Sequence, residues 1–501
     1  MRAAMHGPTP FSRRAFAGLT ALTLLGALTA CTGGDQVRVV LTEDAPASTV
    51  LPGEDPASTA LALSATLFES SEVVVLATDA TLADLAPLAA RVGLPLLVGV
   101  GDAVTEELER LGADAILTLD GTVPEGLEGD LDVLELDLSA SDVELPELRR
   151  ENHPVPVLLS VDPSAPSPAQ EVAHALVTAA GGTVAEMPDG DVGRSGGSIA
   201  ALRETVGDDP AAGALGLGAS FGAADDWVDR LQHALTTPEL PGGGITALPG
   251  RRMIAAYGSP GVPSLGILGE QGLAETITRV QELTAEYDGL GEEPLVPALE
   301  IIATVADSDA GGDGDYSREL PAEPLREWVD AAGEAGVYVV LDLQPGTTDF
   351  LTQARRYEDL LTAPHVGLAL DSEWRLAPGQ KHLAQIGSVD AAEINEVSTW
   401  LADLTAEHGL PQKVLILHQF THSMIRDRQD VDTSRPELAI TLHADGHGVP
   451  GDKRGTYRAL QRDLPEGILM AWKNFYDEDT PMFTPEETFA VEPRPWFVSY
   501  Q

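Results

Sequence analysis

The stretch "VGLALDSEW", residues 366–374, is an apolar run that ends in Asp371 and Glu373, two residues apart. Carboxyl groups paired this closely suit glycoside hydrolysis: one acid protonates the leaving oxygen while a second attacks the anomeric carbon or steadies the cation. Similar polar endings recur. "VYVVLDLQ" ends in Asp342 and Gln344, "KVLILHQF" carries His418 and Gln419, "LAITLHAD" carries His443 and Asp445, and "ILMAWKN" ends in Lys473 and Asn474. Glu300 sits inside "LVPALEIIATVA" and Tyr257 near the end of "RMIAAYG". Tyr257, Trp374, Trp472 and Phe475 offer faces on which a sugar ring stacks.

The same residues support a rival chemistry. His443, Asp445 and His447 alternate in "LHADGHG" as metal ligands can, with His418 and Glu300 as further donors. Imidazole and carboxylate suit zinc or manganese and would activate a water. The spacing follows no His-Glu-x-x-His pattern, so no metal is assigned at this point. The chain carries neither a phosphate loop nor a Gly-x-Ser-x-Gly nucleophile elbow, and no cofactor is expected. "DSDAGGDGDY", residues 307–316, is calcium-loop-like in composition, but Gly311 and Arg318 stand where ligands are needed. It is expected as a flexible rim loop.

These residues need a scaffold that brings strand ends together. Eight strand-like segments follow the boundary "LPGGGITALPG": the six quoted above, "VGLALDSE", and "WFVSY". Helical patterns such as "GLAETITRVQELTAEY", "PLREWVDAAGEAG" and "DAAEINEVSTWLADLTAEHG" lie between most of them. Eight βα units over residues 245–501 predict a (β/α)8 barrel, whose functional groups gather at the C-terminal ends of its strands. Side chains alternate along a strand. With Leu368 and Leu370 facing the helices, Gly367, Ala369, Asp371 and Glu373 face the lumen. The same parity turns Asp342, Gln344, His443 and Asp445 inward, with Glu300, His418, Gln419 and Lys473 as further members of the mouth. Asp371-x-Glu373 at the fourth strand distantly resembles the D-x-E strand end of chitinase-like barrels, departing from it at Ala369. That resemblance implies Glu373 as proton donor and Asp371 as the group holding the substrate's N-acetyl group, with Asp342 as alternative partner. The expected site is therefore catalytic Glu373, Asp371 and Asp342, with Glu300, Gln344, His418, Gln419, His443, Asp445, Lys473, Trp374 and Tyr257 binding substrate. A carboxylate neighbour is expected to raise the pKa of Glu373 towards neutrality. "KNFYDEDTPMFTPEET" after the seventh segment is expected to fold over the mouth, bringing Asp477, Glu478 and Asp479 near it.

Upstream, residues 61–244 alternate strand and helix: "EVVVLATD", a helix closed by Gly93, "LPLLVGV", a helix with Asp102 as N-cap, and "DAILTLDG". This predicts a parallel α/β sandwich. "VVVLATDATLADLAPLAARVGLPLLV" and "VTEELERLGADAILTLDG" resemble a cell wall-binding repeat of the second type. That resemblance implies attachment to wall polymer, and "PVPVLLSVD" to "AAGGTVAEM" and "GALGLGASFGAADDWVDRLQHAL" read as degenerate relatives.

The formal net charge of −49 over 501 residues repels nucleic-acid phosphates, so no nucleic-acid partner is expected. One cysteine, Cys31, excludes an internal disulfide. It follows Arg13-Arg14 and an apolar stretch ending Leu28-Thr29-Ala30, which resembles a bacterial lipoprotein signal of the twin-arginine type. The resemblance implies cleavage after residue 30, diacylation of Cys31, and a lipid-anchored, extracytoplasmic protein at the cell membrane. Residues 31–60, rich in Gly, Pro, Ser and Thr, are expected as a flexible tether. The whole arrangement looks like a class of actinobacterial surface lipoproteins, which implies a cell-wall or extracellular glycan partner for the barrel. A glycan-binding barrel without turnover, and a metal-dependent hydrolase using His443 and Asp445, remain open. Because two or three acyl chains anchor stably, Cys31→Ala is expected to shed the protein into the medium or leave an uncleaved precursor. Fractionation checks this, and a membrane-bound variant of mature size contradicts it.

Overall fold

The computed structural model describes residues 36–119, 121, 131–136, 147–152, 157–207 and 209–501. The signal and Cys31 lie outside these. The chain divides into two compact units. One comprises the residues up to Gly190 together with Glu204–Val228; the other comprises Asp191–Arg203 and Asp229–Gln501. No described helix is long and apolar enough to cross a membrane.

The first unit is a parallel α/β domain. Strands Val73–Ala77, Leu96–Val98 and Ala115–Thr118 alternate with helices Leu82–Val92 and Asp102–Leu111, and the first of these strands lies between the other two. Strands Leu158–Val161, Thr183–Glu186 and Ala214–Leu217 repeat that strand order in a second sheet. Gly93 closes its helix at φ 86°, in the left-handed region where a side chain is strained. Asp102 is not the cap expected of it. Gly101 holds that position, and Asp102 puts its charge in the first helical turn. Residues 36–60 are not a bare tether either. Strand Gln36–Leu41 is the centre of a three-stranded sheet, and helix Pro56–Leu67 is capped by Asp55, whose side chain accepts from Ser58 N. Val37, Val39 and Leu41 alternate into the core, a period-two signal in a stretch dominated by turn residues.

The second unit is a closed eight-stranded parallel barrel ringed by helices. Its strands are β1 (Arg252–Gly258), β2 (Leu295–Ala306), β3 (Tyr338–Leu343), β4 (Val366–Asp371), β5 (Lys413–Gln419), β6 (Leu438–Ala444), β7 (Leu469–Asn474) and β8 (Phe497–Tyr500). β1 pairs with both β2 and β8, which closes the sheet. All eight coincide with the segments read in the sequence. Residues 307–316 join β2 to an antiparallel strand, Ser317–Glu319. They form the tip of a hairpin closed by the Asp307 amide on the Tyr316 carbonyl at 2.9 Å.

Strand alternation sorts the apolar residues into two cores. Leu368, Leu370, Leu415, Leu417, Leu442 and Trp472 pack outward under the helices. Met253, Ala255, Val296, Ala298, Val340, Ala369, Ile416, Ala471 and Phe497 fill the lumen. Leu240, Ala247 and Leu248 join this lumen core from the segment before β1. Arg251 ties that segment down, bonding the Gly243 carbonyl at 2.6 Å and the Thr246 carbonyl at 3.0 Å.

Gly367 faces this packed lumen. A Cβ there would lie 2.5 Å from the Val414 carbonyl and 2.9 Å from the Tyr338 hydroxyl. Gly367→Ala is therefore expected to cost about 1–3 kcal/mol, the usual scale of overpacking. Denaturant unfolding measures it, and an unchanged midpoint contradicts this packing.

Candidate active site at the barrel mouth

Each strand turns a polar side chain into the lumen, near its C-terminal end on every strand but β2, where it lies mid-strand: Tyr257, Glu300, Asp342, Asp371, His418, His443, Lys473 and Ser499. All eight are buried. Several are direct register partners across strands, Tyr257 with Glu300, Asp371 with His418, His418 with His443, and Lys473 with Ser499. Two residues earlier the lumen is apolar on seven of the strands, with Ala255, Ala298, Val340, Ala369, Ile416, Ala471 and Phe497, while β6 places the buried hydroxyl of Thr441 there. A polar layer thus rests on a largely apolar plug, and burial strengthens its hydrogen bonds.

The layer has two tiers. Above lies a cavity of about 490 Å³ lined by Tyr257, Gln344, Asp371, Glu373, Trp374, Asp445, Lys473 and Phe475, among others. Glu300, Asp342, His418 and His443 lie beneath its lining and are fully buried. His418 links the tiers. Its Nδ1 donates to Asp445 Oδ2 at 3.0 Å and its Nε2 to Glu300 Oε1 at 2.9 Å, with Asp342 Oδ1 3.8 Å from Nε2. His443 Nε2 donates to the Trp472 carbonyl at 3.1 Å, which leaves Nδ1 bare and 3.7 Å from Glu300 Oε1. Tyr257 donates to Asp342 Oδ2 at 2.9 Å. Gln344 accepts from the Ala306 amide at 3.0 Å and reaches Asp371 Oδ2 at 3.5 Å. Lys473 Nζ sits 3.4 Å from the Tyr257 ring centroid, a cation–π contact.

The environments pull the carboxyl groups apart. Burial, then the charge of Glu373, pushes Asp371 well above the usual carboxylate range. Burial, then Asp445, raises Glu373 to about 7 against the pull of Lys473 and His418. The neutral-range pKa expected of Glu373 is thus present, but burial is its first cause and Asp445 its leading charged one. Burial also raises Asp342 to about 6. Burial opposes charge on Asp445 and Glu300 as well; the hydrogen bond and charge of His418 outweigh it at Asp445, and the His443 and His418 rings do so at Glu300, so both fall below the usual range. Burial works against a charged His418, yet Glu300 and Asp445 hold its proton. Burial lowers His443 to about 3.

The other expected site residues fall as follows. β4 ends at Asp371, and Glu373 lies in the 3-10 turn Ser372–Trp374, so it reaches the cavity from the turn rather than by strand parity. Its carbonyl accepts from the Gly387 amide at 2.6 Å, which pins the turn. Gln419 does not reach the mouth. It has the parity opposite to His418 and accepts from Arg428 Nη1 at 2.7 Å. Asp342, expected as a catalytic partner, lies under the cavity. Trp472 is packed in the outer core against Tyr457 and Phe483, and Asn474 accepts from its indole at 2.7 Å. His447 is exposed, its ring 5.7 Å from Phe475. Of the acids after β7, Glu478 lines the cavity, and Asp479 is a buried partner of Lys453 at 2.7 Å. Ser499, 3.1 Å from His443 Nε2, went unread in the sequence, although its alternation with Val498 and Tyr500 carries the same parity signal.

Fold and site together define a (β/α)8 barrel with a carboxylate-rich cavity at the C-terminal ends of its strands. No protein-family model and no curated protein matches this chain.

The raised pKa of Glu373 has a consequence for stability. Its folded carboxyl holds a proton more tightly than the unfolded one, so stability falls as pH rises from the ordinary carboxylate range through about 7. Glu373→Gln removes that penalty. The variant is expected to gain more melting temperature over the parent at pH 8 than at pH 5, and an equal difference at both contradicts the perturbed carboxyl.

Proposed function

We propose that this chain is a lipid-anchored envelope protein whose barrel hydrolyses a cell-wall or extracellular glycan, with Glu373 as general acid. One observation carries the reading: Glu373, with a pKa of about 7, shares a cavity with three further carboxyl groups and the aromatic faces of Trp374 and Phe475. A general acid works best when its pKa lies near the working pH. Glu373 is half-buried at the rim, where it can reach a glycosidic oxygen. Asp371 and Asp445 line the same cavity, and the Oδ1 of each has no hydrogen-bond partner among the described residues. In this reading Asp371 orients the substrate, and Asp445 faces the positive charge that develops at the anomeric carbon. Trp374 and Phe475 offer stacking faces, and Lys473 reaches substrate hydroxyls. The repeated α/β order of the first unit, together with its resemblance to a wall-binding repeat, supports attachment near wall polymer.

Glu373→Gln keeps the shape and removes the proton. On wall polysaccharide it is expected to lower kcat on the order of a hundredfold or more, the usual scale of general acid catalysis, with binding retained. Asp371→Asn is expected to cost a comparable factor. Activity in the parent is expected to fall as pH rises through about 7, where Glu373 loses its proton. Binding without turnover in the parent would make the barrel a glycan-binding module instead. Unchanged activity in both variants overturns the mechanism.

A further inference from the structure

We propose that Glu300, Asp342, His418 and His443 form a closed binding site for a divalent first-row transition ion, with zinc the best fit. The site lies below the cavity, and the inference does not rest on the glycan reading.

Three residues, Glu300, His418 and His443, bring donor atoms to a spacing that an ion can bridge, and Asp342 stands beside His418. Zinc bonds of roughly 2.0–2.2 Å to nitrogen and oxygen put tetrahedral donors about 3.4 Å apart. His418 Nε2 is 2.9 Å from Glu300 Oε1 and 3.8 Å from Asp342 Oδ1, and His443 Nδ1 is 3.7 Å from Glu300 Oε1. One donor atom from each of Glu300, His418 and His443 lies within 4.8 Å of the others. The four side chains come from β2, β3, β5 and β6, so rigid strands set the geometry.

Hydrogen bonding points to the same place. Glu300 Oε2, Asp342 Oδ1 and His443 Nδ1 are buried and have no hydrogen-bond partner among the described residues. Such groups are costly unless something satisfies them. A proton on His418 Nε2 satisfies only Glu300. A cation among the four groups takes up Asp342 Oδ1 and His443 Nδ1, and Glu300 Oε2 as well when that carboxylate binds through both oxygens; on binding it displaces that proton, because a ligating imidazole nitrogen must be bare.

The surrounding bonds orient both rings as ligands. His443 donates from Nε2 to the Trp472 carbonyl at 3.1 Å, so its lone pair on Nδ1 faces Glu300. His418 donates from Nδ1 to Asp445 Oδ2 at 3.0 Å, the carboxylate–histidine–metal arrangement that fixes tautomer and raises ligand basicity. Asp342 Oδ2 is engaged by Tyr257 at 2.9 Å, leaving Oδ1 to ligate. Asp371, His418 and Asp445 form a second possible triple on the upper side of the ring. It has one nitrogen donor instead of two.

Two imidazoles and two carboxylates favour zinc or its neighbours over calcium or magnesium, which prefer oxygen alone. Four protein ligands leave no open position for a water, so the ion would cross-link β2 and β3 to β5 and β6 and fix Asp445 through His418. It would not itself attack substrate.

The test is made on the full chain as purified. Elemental analysis is expected to find about one zinc per chain, and chelator treatment is expected to lower the melting temperature, with zinc restoring it. Glu300→Gln and His443→Gln are each expected to weaken zinc binding at least tenfold in calorimetric titration of the chelated protein. Glu373→Gln is expected to keep full zinc content, which separates this site from the cavity and its failure from failure of the hydrolase reading. If a ligand variant does not fold, cobalt-loaded wild type decides. Intense four-coordinate visible bands support the site, whereas a weak six-coordinate spectrum overturns it. No zinc uptake at millimolar concentration with an unchanged melting temperature overturns it, as does uptake unaffected by both ligand variants.

Discussion

The candidate site is organised around one imidazole. His418 reaches Asp445 at 3.0 Å with one nitrogen and Glu300 at 2.9 Å with the other. Taking a carboxylate out of water costs on the order of several kcal/mol unless a countercharge and hydrogen bonds offset it. Glu300 is fully buried and Asp445 nearly so, and this ring serves both. It also joins the tier under the cavity to the tier that lines it. An ion bound beneath takes over the Nε2 contact and leaves the Nδ1 contact to Asp445 intact.

The division into tiers separates two tasks that many active sites combine. Beneath the cavity, Tyr257 on Asp342, His418 on Glu300 and His443 on the Trp472 carbonyl lock orientations in a dry environment. Around the cavity, Glu373 on its turn, Asp371, Lys473 and the aromatic faces stay available to a ligand. Carboxyl groups of one chemical type diverge because burial acts on all of them while His418 hydrogen-bonds only Glu300 and Asp445, and neighbouring carboxylates push Asp342, Asp371 and Glu373 up. Burial and the surrounding charges leave Glu373 able to hold a proton near neutrality.

Much of the barrel could be read from the sequence because its signal is local. Apolar runs of four to twelve residues, punctuated by Gly and Pro, correspond to all eight strands. Parity within a run turned Asp342, Asp371, His443 and Asp445 inward as expected. The misreadings have physical causes. Gln419 is adjacent to His418, and neighbours on a strand cannot both face the lumen. Parity stopped applying to Glu373 where β4 ended at Asp371. Depth was hidden too, since the height of a residue in the lumen depends on register between strands far apart in sequence; Asp342 and Glu373 therefore looked equivalent. Residues 36–60 contain enough turn formers to mask short strands that only pairing at long range stabilises, such as Gln36–Leu41 with Glu147–Glu151.

The central claim is that the cavity over His418 binds sugar with Glu373 at the bond to be cleaved. A crystal of the Glu373→Gln chain soaked with an N-acetylglucosamine oligomer tests it most directly. The account predicts rings stacked on Trp374 or Phe475, with a glycosidic oxygen within hydrogen-bond reach of residue 373 and a ring carbon facing Asp445. Well-ordered sugar bound elsewhere on the barrel, or a cavity that remains free of sugar at saturating oligomer, would contradict it.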